Sequence, residues 1–341
     1  VILAGDIGGT NARLALFREG SQIPLRAATF PSRGHAGLAP IIEAFLGDDR
    51  PRVSVLGVAG PVVGNRCKAT NLPWTIDGPA LAKRFGIARV QLLNDLVSVG
   101  FGCLAAPPKV LKVLSGPKPK RAGATVAIIA AGTGLGECSM VWSQEGFVPS
   151  ASEGSHVDFA ARSAAEFELF THFQKRFGHV SYERLVSGMG LTDLYQYFAP
   201  KKEFAAAQAR VPSGDINREI SRLAAEGRSP AALRAVHTLL NLYGAEAGNL
   251  ALKTLATGGV FLCGGIINTL KAHIPASGLV ESFLAKGRMR GLLERTPLVL
   301  VTEPELGIAG SLAHGEQLAK DLPRTRTKKP ARRPVRSQGA S

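Results

Sequence analysis

The chain has 341 residues, 45% of them hydrophobic and 20% charged, with a formal net charge of +15. That length permits two domains and a sizeable core, and the composition is that of an ordinary globular protein rather than a disordered or fibrous one. No apolar run approaches the ~20 residues of a membrane-crossing helix, and the first residues show no signal-peptide pattern.

Four cysteines (Cys67, Cys103, Cys138, Cys263) stand far apart without a C-x-x-C pair. This argues against a zinc site or a disulfide framework and suits a reducing, cytoplasmic compartment. The basic charge points toward polyanions, but its placement weakens that reading. Residues 322–341 hold seven Lys or Arg and no acid, and without them the formal charge falls from +15 to +8. Such a segment, with almost no apolar content, is expected to be a disordered, solvated tail, which argues against a nucleic-acid partner.

Taken in order, Val1-Ile-Leu-Ala-Gly-Asp6-Ile-Gly8-Gly9-Thr10-Asn11-Ala-Arg13 opens the chain, and Leu14 to Phe17 resumes a strand pattern. This predicts a β-hairpin with a chemically active turn. Glycines allow close backbone approach, so the N–H groups of Gly8, Gly9, Thr10 and Asn11 can cradle a phosphate, and Asp6 can serve a hard cation nearby. On local sequence alone an ordinary Gly-Gly hairpin fits equally well. Helical spacing follows over Leu38 to Phe45, then a strand over Val53 to Ala59, broken at Gly60-Pro61, with a turn at Gly64-Asn65. Asp77 is placed to cap a helix running to Phe85. Val90 to Leu93 is a short strand delivering Asn94-Asp95, with a helix from Leu96. Residues 107–122, rich in Pro, Lys and Gly, are expected to connect two domains.

Ala124 to Ala130 reads as a buried strand, followed by the turn Ala131-Gly132-Thr133-Gly134-Leu135-Gly136 and a strand over Cys138 to Trp142. The strand–glycine turn–strand order of residues 1–17 thus recurs, which suggests two related α/β halves. Residues 159–255 are mostly helical in pattern. Val260 to Cys263 is a buried strand ending in Gly264-Gly265, Leu298 to Val301 is a last strand, and Leu306 to Ala319 a last helix. Ligands in such sheets sit at strand ends, where Asp6, Asn94-Asp95, Gly132–Gly136 and Gly264-Gly265 all fall.

Neither glycine turn is a Walker A loop, because no Lys follows, and neither has the G-x-G-x-x-G spacing of a dinucleotide-binding helix. Asp95 is the candidate general base for phosphoryl transfer to a hydroxyl, although an Asn-Asp helix start explains the pair equally well. Glu153, His156 and Glu183 can accept hydrogen bonds from sugar hydroxyls. A metal site built from Glu153, His156 and Asp158 lacks any further ligand cluster.

These residues together resemble the bacterial glucokinase family, within the hexokinase and actin-like ATPase superfamily. The resemblance runs from about residue 3 to 315. It rests on Gly5 to Arg13, Asn94-Asp95, Gly132 to Gly136, Glu153 to Phe159, Leu185 to Gly188, Gly258 to Ile266 and Gly307 to Ser311. It implies an α/β protein of two ribonuclease-H-like (actin-like ATPase) domains flanking a cleft. Residues 1–106 plus 302–320 would form the small domain, 107–301 a large domain with a helical insertion, and 321–341 a disordered basic tail. It further implies ATP-dependent phosphorylation of glucose at the 6-hydroxyl, feeding glycolysis, with Asp95 as base. Asn94, Glu153, His156 and Glu183 would bind the sugar. Gly8, Gly9, Thr10, Asn11, Gly132, Thr133 and Gly134 would bind phosphate, Gly264 and Gly265 the adenosine side, and Asp6 would hold Mg²⁺ through water. A homodimer is also implied. Ser152 and Ser155 depart from the family pattern, standing where glycines are expected.

Overall fold

The computed structural model describes residues 1–120, 122–212 and 214–323. From residue 324 onward the basic tail lies outside the described residues. Two sheets form the frame. The first has the order Pro24–Pro31, Asn11–Phe17, Ile2–Ile7, Val53–Val58, Arg89–Asn94. The second begins with the same plan: Gly146–Ser152, Leu135–Ser143, Val126–Ala131, Gly259–Cys263, Leu298–Val301. In each, three strands form an antiparallel meander and two more run parallel to its first strand. The repeat read from the glycine turns is therefore a repeat of whole half-structures, the two-lobed α/β plan of the actin-like ATPase class. Val53–Val58 and Gly259–Cys263 are buried at every residue, as expected of parallel strands covered on both faces.

The segment 107–122 is more than a connection. Leu111–Ser115 pairs antiparallel with Leu298–Val301 and forms the edge of the second sheet. Its short Leu-Lys-Val-Leu alternation was hidden by the Pro, Lys and Gly around it. A small sheet of Val62–Val63, Arg66–Lys68 and Thr75–Asp77, beyond the turn anticipated at Gly64-Asn65, was also not foreseen. Strands of two or three residues leave too little periodicity to read.

Helices cover both outer faces. Leu38–Leu46 and Gly78–Phe85 pack their apolar sides on the first sheet. Asp77 caps the latter by accepting the Ala80 N–H at 2.9 Å. On the second sheet lies a helical layer that includes Ala164–Phe177, Gly188–Phe198, Ile216–Ala225 and the 25-residue helix Pro230–Thr254. Between the sheets run Asp95–Ala105 and Leu306–Lys320, whose side chains share one core with residues of both sheets, among them Ile2, Val55, Ile128, Met140 and Phe261.

These two inner helices cross at backbone contact. A Cβ on Gly310 would collide with the Ser98 carbonyl, and one on Gly102 with the Leu306 backbone. Two buried serines bond the crossing together. Ser98 Oγ lies 2.7 Å from Ser311 Oγ, Ser311 Oγ donates to the Gly5 carbonyl at 2.9 Å, and Ser98 Oγ contacts the Gly307 carbonyl at 3.0 Å. Gly310→Ala is expected to cost about 1–3 kcal/mol through forced separation of the helices. Gly37→Ala, whose added Cβ meets nothing within 4 Å, is the matched control. Thermal denaturation should show Tm falling by several degrees in the first variant and staying unchanged in the second.

Candidate active site

Both sheets direct the ends of their parallel strands into one cleft of about 660 Å³. Its wall carries Gly8, Gly9 and Thr10 from the first turn, Asn94 and Asp95, Gly132, Thr133 and Gly134 from the second turn, Glu153, His156, Glu183 and Gly264. Most residues singled out from the sequence thus meet in one place. Asp6, Asn11 and Gly265 are not among the residues lining it. Asn11 opens the strand Asn11–Phe17, and Gly265 starts the helix Gly265–Leu270.

The two turns are built alike. Gly8 N–H donates to the Asn11 carbonyl at 2.9 Å, and Gly132 N–H to the Gly134 carbonyl at 2.8 Å. Each first glycine thereby closes its turn rather than facing a ligand. Among the described residues, no hydrogen bond reaches the N–H groups of Gly9 and Thr10, or of Thr133 and Gly134. Paired, unpartnered N–H groups on a tight turn form an anion-binding concavity. Gly9 must be glycine because a Cβ there would stand 2.9 Å from Asn71 Cβ. Arg33, Thr70 and Asn71 also line the cleft. None of the three is marked by the sequence, since their only signal is nearness in the fold.

Asp6 lies against the start of the last helix, where a Cβ on Gly307 would stand 3.1 Å from its Cγ. Burial pushes its carboxyl above the usual range, opposed by Arg13, whose Nη1 is 3.3 Å from Asp6 Oδ2, and Glu305 adds a smaller upward push. Asp95 begins the inner helix Asp95–Ala105. Asn94 caps it, its Oδ1 accepting from the N–H groups of Leu96 at 3.1 Å and Val97 at 3.4 Å, while its Nδ2 donates to the Gly60 carbonyl at 3.2 Å. The amide of Asn94 is thus largely engaged in holding the backbone, with one N–H left for a ligand. Asp95 Oδ1 accepts from Leu96 N–H at 2.9 Å. Burial raises the Asp95 carboxyl to about 6, against the Leu96 hydrogen bond, with the negative charges of Asp6 and Glu153 adding to the rise.

Opposite Asp95, the short turn Gly154–His156 holds an acceptor cluster. His156 stands between two carboxylates, Nε2 at 3.9 Å from Glu153 and Nδ1 at 3.8 Å from Glu183. Asp158 turns away to His179 at 3.3 Å. Ser152, one of the departures from glycine, accepts the Gly154 N–H at 2.9 Å and stiffens this turn, and Ser155 is buried. Glu183 does two things at once. It faces His156, and its Oε2 accepts the Leu135 N–H at 3.0 Å, tying the acceptor cluster to the second glycine turn.

The same carboxylate fills the space where a Cβ on Gly134 would sit, whereas a Cβ on Gly132 would meet nothing within 4 Å. Gly134→Ala is therefore expected to displace the end of Glu183 and cost about 0.5–1.5 kcal/mol through its lost hydrogen bond to Leu135, with Gly132→Ala close to neutral. Thermal or urea denaturation of the two variants checks the contrast.

The arrangement offers two anion cradles, a carboxylate of raised basicity and a set of hydroxyl acceptors around one cleft. Comparison with known proteins identifies the family. The family model for Glucokinase matches residues 3–318. A curated glucokinase from Synechocystis is 35% identical, the match covering 91% of this chain and 96% of that protein. The crystal structure of a glucokinase from an Antarctic psychrotroph superposes with a TM-score of 0.78 at 27% identity, covering 93% of this chain and 98% of that one. A ROK family glucokinase from Streptomyces griseus, solved with glucose and AMPPNP, shares the fold at 19% identity with a TM-score of 0.63, covering 93% of this chain and 99% of that one. The chain belongs to the glucokinase family.

Proposed function

We propose that the protein transfers the γ-phosphoryl group of ATP to the 6-hydroxyl of D-glucose, giving glucose 6-phosphate and ADP, with Asp95 as general base. The observation that carries this reading is the placement of Asp95. Its carboxylate lines the same cleft as the unpartnered N–H pairs of both glycine turns and the acceptor cluster of Glu153, His156 and Glu183. Membership of the glucokinase family supplies the sugar, and the fold shared with a glucokinase holding AMPPNP supports the nucleotide.

In this reading Glu153, His156 and Glu183 accept hydrogen bonds from the sugar hydroxyls, and the free N–H of Asn94 donates one. They orient the 6-hydroxyl toward Asp95. Its oxygen bonds to the γ-phosphorus as the bond to the β-phosphate oxygen breaks, and Asp95 takes the hydroxyl proton. The N–H groups of Gly9, Thr10, Thr133 and Gly134 stabilise charge on the phosphoryl oxygens. Asn11 supports the first cradle through its carbonyl, and Gly264 and Gly265 border the adenosine side.

Asp6 is the residue that would hold Mg²⁺, through water. A single part-exposed carboxylate, facing only the partial competition of Arg13, fits a cation that keeps much of its water and takes its other ligands from phosphate. Bound there, the ion would neutralise phosphate charge. Residues 1–106 plus 302–320 and residues 107–301 form the two domains that close on the sugar and exclude water. A homodimer, a cytoplasmic location and a place at the entry to glycolysis belong to the same proposal and rest on the family alone.

Asp95→Asn keeps the cap geometry but removes the base, and is expected to lower kcat at least ~10²-fold. It should also raise stability. A carboxyl whose folded pKa lies above its unfolded value stabilises the fold only while protonated, and that contribution is lost as pH rises from 3.8 through about 6. At pH 7.5 the neutral amide avoids this loss, so Tm should rise. ADP release with MgATP and a panel of hexoses, run beside thermal melts, tests both effects. Glucose-dependent turnover lost in a more stable variant supports the assignment, and turnover within tenfold of wild type defeats it.

A further inference from the structure

Beneath the acceptor turn lies a second acidic pair that the reaction does not use. Glu137 follows the second glycine turn on the strand Leu135–Ser143 and is 1% exposed. It stands in register with Ser152, the residue before Glu153. Its Oε2 packs directly under Gly154, where an added Cβ would lie 2.5 Å from it. Among the described residues its Oε1 has no hydrogen-bond donor. The acid beside it is Glu246, fully buried on the long helix Pro230–Thr254 and near enough for its charge to act on Glu137. Two buried carboxylates side by side repel each other, which favours a proton on one of them.

The surroundings decide which of the two is charged. Glu246 accepts from Asn249 Nδ2 at 2.8 Å and pairs with Lys253 Nζ at 3.2 Å. Glu137 has neither partner. Burial first, and the Glu246 charge second, push the Glu137 carboxyl up to about 8, partly offset by Lys253. The other titratable or charged groups here are Tyr182, Tyr243, Arg162 and Lys286. Tyr182 accepts from Asn249 at 3.0 Å, and burial and the Glu246 charge raise its phenol. Tyr243 is buried, with its phenol held well above the usual range. Lys286 donates to Asn249 Oδ1 at 2.5 Å and to the Ala245 carbonyl at 2.8 Å, and is lowered to about 8 chiefly by burial, with the Arg162 charge adding to it.

We propose that Glu137 is a positioning residue whose neutral carboxyl, buried beside Glu246 and packed under Gly154, supports the turn Glu153–His156 in its sugar-binding shape. Ionisation of Glu137 places a second charge beside Glu246 and under the Gly154 backbone, where none of the described residues donates to Oε1, and the turn lifts away. The protein then binds sugar less well at alkaline pH while the phosphate cradles and Asp95 stay in place. This rests on the assignment of Glu153 and His156 to the sugar.

The test is the pH dependence, from 6.5 to 9.5, of KM for glucose and of kcat in wild type, Glu137→Gln, Glu137→Ala and Lys286→Arg. The wild-type KM should rise about tenfold above pH 8 with a much smaller change in kcat. Glu137→Gln, which copies the neutral form, should remove that rise. Glu137→Ala should show a KM raised about tenfold at pH 7, and Lys286→Arg should retain the alkaline rise. An alkaline rise that persists in Glu137→Gln, or that Lys286→Arg abolishes, overturns the proposal. Should Glu137→Gln not fold, calorimetry of glucose binding to wild type at pH 8, in buffers of different ionisation enthalpy, reads the same proton. Uptake supports the proposal and none refutes it. Glu153→Ala separates the two readings: an unchanged glucose KM in that variant removes the sugar assignment itself, whereas a raised one leaves it standing whatever Glu137 does.

Discussion

The structure depends on the crossing of Asp95–Ala105 and Leu306–Lys320. Gly102 and Gly310 let the two backbones touch, and the Ser98–Ser311 hydrogen bond supplies the polar link in an otherwise apolar layer. A buried hydroxyl pair is favourable when its protons find acceptors, and here Ser311 donates to the Gly5 carbonyl while the Ser98 proton is shared between Ser311 Oγ and the Gly307 carbonyl. Through those bonds the crossing fixes the strand residue before Asp6, the helix turn beside Asp6, and the helix that Asp95 begins. A shift of one helix would move both carboxylates.

That rigidity holds charge where it is costly. Asp95, Glu153 and Glu183 line one cleft, with Asp6 near enough for its charge to act on Asp95, and burial raises both Asp6 and Asp95 above their ordinary range. Carboxylates that repel one another and lack solvent reduce the stability of the empty protein, and the same repulsion favours a cation, a hydroxyl proton or a hydrogen-bond donor. Arg13 offsets only part of this at Asp6. Glu183 spans the two functions of the cleft, because one carboxylate faces His156 and also anchors the Leu135 N–H of the phosphate turn. In the proposed reading, sugar and phosphate sites are coupled through this single side chain rather than through a distant path.

Much of this was legible in the residues. Strands that end in Asp6-Ile-Gly-Gly, Asn94-Asp95, Gly132-Thr-Gly and Gly264-Gly265 announce a shared edge, and the repeated strand–glycine turn–strand order announced two halves of one topology. Helix caps such as Asp77 followed from local chemistry. Other features lay out of reach of periodicity. Leu111–Ser115 is a strand only because the edge of the second sheet is open to it, and the three-stranded ribbon around Asn65 is too short to carry a pattern. The N–H groups of Gly8 and Gly132 belong to the candidate cradles in sequence, yet turn geometry engages both internally. Arg33, Thr70 and the Glu137–Glu246 pair are joined to the cleft by folding alone, with no spacing in the chain to mark them.

The central claim is that the Asp95 carboxylate is the base, and its raised pKa makes it observable. The most direct measurement is the pH dependence of kcat/KM for glucose at saturating MgATP, from pH 5 to 7.5, in wild type and in His156→Asn. Since the Asp95 carboxyl is pushed up to about 6, kcat/KM should fall tenfold per pH unit below that value in both proteins. A level profile down to pH 5, or an acid limb that disappears with His156, would contradict the account.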